Sequence, residues 1–284
     1  MKKRLAIFII LLGATFMSFN GVLIRVLDSA NGFQVLFYRS IGLTIFVLFF
    51  IGFKRKVSII KILRSIDSWD VTVGVCLGIA FSSYVFSVFY TSVAYTLFIL
   101  SSTPLIAALL SWLVLNEKPS LIVVLAMILS LTGVVIMVKA GISAGNGWSQ
   151  FLALISAASF AAMLVASRRS HKADILTGTF LGGVFSGLFG LLSSVFIVKS
   201  LEVSVYDLGI MFVMGAFAIG LGITLVTLAA PFVPSAEVSI LVLLESVLGP
   251  LWVWYFLNES VSKSELVGGI IILFSVVLLS YPTR

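Results

Sequence analysis

Glu245 is the residue whose type and position most plainly invite chemistry. It lies in SAEVSILVLLESVLGPLWVWYFLNES, residues 235–260, a run otherwise apolar enough to span a bilayer. At ~1.5 Å per helical residue the carboxylate is roughly 15 Å from Ser235, close to the midplane of a ~30 Å hydrocarbon core. A carboxylate at that depth is costly to insert, so it should face a cavity, a partner or a cargo. There it could accept a proton or hold a cationic group; the alternative is a structural hydrogen bond to a neighbouring helix.

Other polar side chains fall inside apolar runs. Arg39, in FQVLFYRSIG, could attract an anionic cargo or pair with Glu245. The simpler reading is that it snorkels to the interface, with Tyr38 beside it as a belt residue. Asn20, in MSFNGVLIR, offers a donor and an acceptor, to a ligand or to a facing helix, with Ser18 a weaker companion. Ser83, Phe86 and Tyr90 recur at helical spacing, and Ser101 and Thr103 stand beside Pro104 in the next run. Together with Tyr84 these could line a cavity that mixes hydroxyls with aromatic rings and suits an amphipathic metabolite. Equally, the hydroxyls could bond back to their own helices while the rings face lipid. Leu241, Glu245, Leu248 and Trp252 share one helix face, which would bring Trp252 to the same wall. Pro104 and Pro250 each remove a backbone hydrogen bond inside a long apolar helix and are the candidate hinges or gates.

The elements that must position these residues follow from composition. The 284 residues are 61% hydrophobic and 10% charged, with a mean hydropathy of +1.23, whereas soluble domains carry about 25% charged residues. This is an all-α polytopic membrane protein, its partner the lipid bilayer. The net charge of +7 comes from Lys and Arg clustered between apolar runs, so it reads as a topology signal and not as a nucleic-acid surface. Cys76 is the only cysteine and His171, in a loop, the only histidine; neither a disulfide framework nor a metal or cofactor site is expected. With no intramembrane histidine, no Asp near the bilayer centre and no P-loop, enzymatic and ATP-driven mechanisms are not expected either.

Apolar runs at 5–24, 32–53, 71–90, 93–115 and 121–138, then 148–167, 175–198, 208–231, 236–257 and 266–281, predict ten transmembrane helices, five in each half. Placing the N-terminus in the cytoplasm puts Lys2, Lys3, Arg4, Lys54, Arg55, Lys56, Lys61, Arg64, Lys118, Arg168, Arg169, Lys172 and Arg284 inside. Only Arg25, Lys139, Lys199 and Lys263 then lie outside, so both termini are expected to be cytoplasmic. The halves also match each other. At an offset of 142, Asn116 and Glu117 align with Asn258 and Glu259, Thr103 and Pro104 with Glu245 and Ser246, and Gly78 with Gly220; at 143, residues 13–25 align with 156–168. Five helices copied in tandem start the second copy on the other side of the membrane, giving inverted repeats at 1–141 and 142–284. Such repeats mark secondary transporters that bind substrate near the midplane. The glycine pairs Gly74/Gly78 and Gly183/Gly187 read as helix-packing sites, and Glu117 and Glu259 as interfacial residues at helix ends.

The two-unit layout, WLVLNEKPS and again WYFLNESVS closing corresponding helices, and the following Gly133-Val134-Val135 and Gly268-Gly269-Ile270, resemble EamA-type members of the drug/metabolite transporter superfamily over essentially the whole chain. Members often carry Glu-Pro where this chain has Glu245-Ser246. The resemblance implies an inner-membrane secondary active transporter of a small metabolite, amino acid-like or amphipathic. It further implies export by alternating access with protons as antiported partner. The alternative is a passive facilitator or channel for small metabolites.

Overall fold

The computed structural model describes residues 1–56, 58–116, 119–141, 147–170, 172, 174–258, 263, 266–268, 270–271 and 274–275. Glu117, Lys118, His171, Glu259, Arg284 and most of the expected tenth span lie outside them. Among the described residues every regular element is helical. In chain order these are α1 (Lys3–Ser18), α2 (Asn20–Arg25), α3 (Gly32–Arg55), α4 (Ile59–Arg64), α5 (Ser68–Tyr90), α6 (Val93–Leu100), α7 (Thr103–Leu115), α8 (Leu121–Gly141), α9 (Gly147–Arg169), α10 (Leu176–Ser193), α11 (Val205–Val213), α12 (Gly222–Ala229), α13 (Ser235–Val242) and α14 (Leu244–Leu257). A π-helical stretch, Met214–Leu221, joins α11 to α12.

Local chemistry sets the helix ends. Asn31 caps α3 in a capping box with Gln34, and Asp67 caps α5 in another with Asp70; each satisfies backbone donors that have no partner within the helix. Among the described residues, four non-glycine residues end helices in the left-handed conformation: Lys56 (φ 51°), Asn116 (55°), Lys199 (59°) and Asn258 (53°). They form two pairs, 199 − 56 = 143 and 258 − 116 = 142, so the two halves use the same uncommon cap at matching places.

Seven helices among the described residues are long and apolar enough to cross a membrane. The ten expected spans differ from this at three places, and one of the differences is structural. The span predicted at 93–115 is divided into α6 and α7 by a turn at Ser101 and Ser102, just ahead of Pro104. α8 covers the fifth expected span, and the tenth falls mainly outside the described residues.

Packing runs between the halves: α5 lies on α9 and α10, α10 on α3, and α1 on α12 and α14. Small residues allow these approaches. A Cβ on Gly182 would come within 2.6 Å of Leu77 Cβ, and one on Gly74 within 2.5 Å of Leu181 Cβ. Gly215, in the π-helical stretch, packs so tightly on α3 that any side chain would strike the backbone carbonyl of Arg39. The backbone carrying Arg39 is thereby fixed in the interior. One apolar core joins Ile10, Val47, Leu77, Leu164, Ile223 and Leu241; a second, toward the Gly32 end of α3, joins Leu36, Val88, Leu97 and Met214.

Candidate functional site

Two helix breaks meet at Glu245. The ninth expected span turns at Leu243, between α13 and α14, and the first at Phe19, between α1 and α2. The Leu243 break puts Glu245 in the first turn of α14, where unpaired backbone N–H groups favour a carboxylate. It also interrupts the face supposed to join Leu241 to Trp252. Trp252 instead donates from Nε1 to Ser18 Oγ at 2.8 Å and stacks on Phe19 with centroids 4.9 Å apart, clasping the other break. Pro250 lies inside α14, which continues through it. The interruption is therefore seven residues upstream of the proline expected to cause it. Pro104 does stand at a break, in the first turn of α7.

Around Glu245 lies a cavity of about 50 Å³, room for roughly three or four waters. Its walls bring together Asn20, Arg39, Tyr84 and Glu245, with Met17, Phe81 and Phe160 among the apolar lining. A second space of about 50 Å³ shares Met17, Leu100, Phe160 and Glu245 and reaches Thr103 and Ser246. Each is far below the roughly 300 Å³ or more of a metabolite pocket.

The polar atoms facing the cavity are unusual for a protein interior. Arg39 Nη1 is buried without a hydrogen-bond partner, and Asn20 Oδ1 and Tyr84 Oη make no close hydrogen bond, although the Asn20 and Tyr84 side chains interact with each other. Glu245, 7% exposed, has no hydrogen-bond or ion-pair partner among the described residues. Most buried polar groups are satisfied, so the gathering of Asn20, Arg39, Tyr84 and Glu245 on one cavity sets it apart from the rest of the interior.

Arg39 requires a correction. It does not snorkel: it is 2% exposed, its Nη2 donates to Phe81 O at 2.9 Å, and its guanidinium lies 5.8 Å from the centroid of the Phe81 ring. Tyr38, beside it, is partly buried, and its hydroxyl donates to Leu201 O at 2.7 Å.

The remaining candidates stand apart. Ser83 lines a separate apolar groove with Phe86, Phe185 and Phe189. Tyr90 is exposed and its ring stacks on Phe86. Ser101 Oγ lies 3.0 Å from Leu97 O and 3.2 Å from Ser246 Oγ, with one proton to share between them, and Thr103 donates to Leu100 O. The Thr103 hydroxyl takes up the Leu100 carbonyl, whose helical donor would be the N–H that Pro104 lacks, and Thr103 also borders the second space. Sequence reasoning missed Met17 and Phe160, which line both spaces. They are matched at the 143 offset, so the repeat alignment held the signal.

The halves are tied at both ends of α3. At the Gly32 end, buried Asp207 of α11 accepts from the backbone N–H groups of Asp28, Ser29 and Ala30 and from the Ser29 hydroxyl, at 2.9–3.1 Å. Gln34 Nε2 donates to Glu202 O at 3.0 Å. At the Arg55 end, Asp174 pairs with Lys54 at 2.6 Å and Arg55 at 2.7 Å, and Lys172 pairs with Asp67 and Asp70, both at 2.8 Å. Asp70 and Asp207 occupy like positions in their helices, each three positions after the N-cap, Asp67 and Ser204. Each holds a loop of the other half, at opposite ends of α3.

The Arg55-end latch is sensitive to acid. The Lys172 ammonium, hydrogen-bonded to Asp67, holds that carboxyl below its ordinary 3.8. Burial pushes Asp174 up, but hydrogen bonds from Lys54 and Arg55 outweigh it and leave Asp174 below 3.8. A depressed carboxyl contributes stability that is complete above its unfolded value and lost as pH falls through the lower folded value. The Tm of the solubilised protein should therefore fall as pH drops below 3.8. Asp174→Asn should lower Tm at neutral pH and flatten that acid limb; a limb unchanged by the substitution would show that Asp174 does not supply it.

The EamA-like transporter family model matches residues 4–139 and again 147–281. The chain belongs to the EamA-like transporter family. It is thus a multi-pass membrane transporter of the drug/metabolite type and not an enzyme. A protein of known crystal structure, 15% identical, superposes with a TM-score of 0.80 over 98% of each chain, a likeness that speaks for the fold alone. No curated protein is similar enough in sequence to serve as a guide to cargo.

Proposed function

We propose that the protein is a secondary active transporter of a small amino acid-like or amphipathic metabolite, exporting it across the inner membrane by alternating access in exchange for protons. The reading has two inverted five-helix units, 1–141 and 142–284, ten spans in all and both termini in the cytoplasm. The observation that carries it is the unpartnered Glu245 at a helix break, in a cavity walled by both halves. A buried carboxylate there can hold a proton in one state and a cargo in the other. The polar wall is asymmetric, as a binding site inside a symmetric scaffold requires: at the 142 or 143 offset Asn20, Arg39, Tyr84 and Glu245 correspond to Met163, Gly182, Val226 and Thr103.

The latches at the two ends of α3 serve as the gates, ionic on the cytoplasmic side and centred on Asp207 on the other. With both made and the cavity small, the conformation is occluded. Export and proton antiport rest on the family's general habit together with Glu245.

Alternating access has a kinetic signature. Proteoliposomes preloaded with a pooled metabolite library should take up labelled members of that pool faster than empty ones, because a loaded carrier returns more readily than an empty one. Uptake indifferent to preloading would favour a facilitator or channel.

A further inference from the structure

The apolar groove that takes Ser83 has no part in the transport mechanism above. It encloses about 350 Å³, against about 50 Å³ at Glu245, and lies between the halves, with α5 on one side and α9 and α10 on the other. On α5 its wall is the stripe Val75, Ile79, Ser82 and Phe86, and Leu152 and Phe189 line it from the second half. Glycines set where it begins. α5 and α10 pack closely as far as Gly78, where a Cβ would come within 3.0 Å of Phe185 Cβ; the larger Ser82 and Phe86 follow on the same face and keep the helices apart. The Ser82 hydroxyl is spent on Gly78 O, at 2.8 Å, so the stripe presents carbon to the space.

What fills the groove follows from where it opens. Val75, Ile79 and Phe189 are exposed, as are Val71, Leu188 and Leu192 on the same helices; the groove is continuous with the surface that this membrane protein turns to lipid. Its apolar wall offers water too few partners, and an unfilled space forfeits the dispersion contacts of its lining. From Val75, a third of the way along α5, to Phe86, one turn from its end, the stripe rises roughly 16 Å, comparable to one leaflet of a ~30 Å hydrocarbon core. The far end is built differently. Phe33, Phe86 and Phe189 meet there with ring centroids 4.6–6.4 Å apart, and Tyr90 stacks on Phe86. Two exposed cations stand at that end. Arg25 donates to Thr91 O at 3.1 Å, one residue past α5, and Lys199 closes the π-helical extension of α10, Ser194–Val198. Neither has an ion-pair partner among the described residues. We propose that the groove is a phospholipid site: it holds an acyl chain of the leaflet at the Gly32 end of α3, with the lipid's phosphate against Arg25 and Lys199. Because the groove is walled by both halves, its lipid joins them.

The test is native mass spectrometry of the full chain in detergent, titrated separately with dioleoyl phosphatidylglycerol, with dioleoylglycerol, which lacks the phosphate, and with glycerol phosphate, which lacks the chains. One phosphatidylglycerol should be retained per protein chain. Dioleoylglycerol should bind at least roughly tenfold more weakly, for want of the two cation contacts, and glycerol phosphate should not be retained. Ser82→Phe puts a ring into the groove and should lose the retained lipid; Ile79→Trp fills the same space and replaces it if Ser82→Phe does not fold. Arg25→Gln combined with Lys199→Gln should bind phosphatidylglycerol as weakly as the parent binds dioleoylglycerol. No phosphatidylglycerol retained by the parent, or a folded groove-filling variant that holds it as the parent does, would overturn the site. Dioleoylglycerol bound as tightly as phosphatidylglycerol would overturn the part of Arg25 and Lys199, and retained glycerol phosphate the part of the groove. None of these readouts depends on transport, so each outcome leaves the carrier reading to its own test.

Discussion

Glu245→Gln should abolish proton-driven accumulation of cargo while exchange of cargo for cargo continues. Glutamine keeps the shape and a hydrogen-bonding head but has no proton to exchange. If one proton is exchanged per cargo, a gradient of one pH unit supports about tenfold accumulation, the equivalent of ~1.4 kcal/mol. The variant should fall to no accumulation at all, because without a titrating group the gradient has nothing to act on. Exchange should weaken through the lost contact with the cargo's cationic group, yet persist. The comparison is of steady-state uptake and of counterflow in the same vesicles. A variant that accumulates like the parent would leave Glu245 a structural residue.

The second large effect is expected far from the cavity. Asp207→Ala removes the acceptor of four hydrogen bonds, three of them from backbone N–H groups of the loop 28–30. The Ala30 bond is fully buried, and water cannot readily replace the carboxylate there. Leaving a buried donor unsatisfied costs about 1–3 kcal/mol, and bonds to a charged acceptor are the stronger kind; a net loss of about 3 kcal/mol is expected. Asp207→Asn keeps one acceptor oxygen and should lose about half as much. Thermal unfolding in detergent reads the stability, and protease accessibility of the loop reads the latch. An Asp207→Ala protein as stable as the parent, with the loop still protected, would mean that the carboxylate does not hold the halves together at that end.

Much of this was legible in the sequence, for identifiable reasons. Membrane embedding follows from apolar runs that no soluble fold would tolerate, and the doubling from offsets that survive because both halves solve the same packing problem. The four polar residues around the cavity each stood out as a polar group in an apolar run. What could not be read was whatever depends on contacts distant in sequence. Arg39 looked like an interfacial residue because nothing in FQVLFYRSIG indicates that Gly215, far along the chain, lets the π-helical stretch close over its backbone. The breaks at Phe19 and Leu243 carry no glycine or proline of their own. The obvious breaker, Pro250, sits in a continuous helix, as prolines in membrane helices can when neighbouring groups take up the freed carbonyl. Ser83 and Tyr84 are adjacent in sequence, but ~100° of helical rotation sends one to the apolar groove and the other to the cavity.

The central claim is that the chain couples cargo movement to protons through a cavity between its halves. The most direct measurement is uptake of a pooled, labelled metabolite library into proteoliposomes of the parent protein, with and without an imposed pH gradient. Accumulation of one class of compound above its external concentration, present only with the gradient and collapsing when a protonophore dissipates it, is the predicted result. Uptake that stops at equal concentrations on both sides, gradient or not, would contradict the account and make the protein a passive pathway.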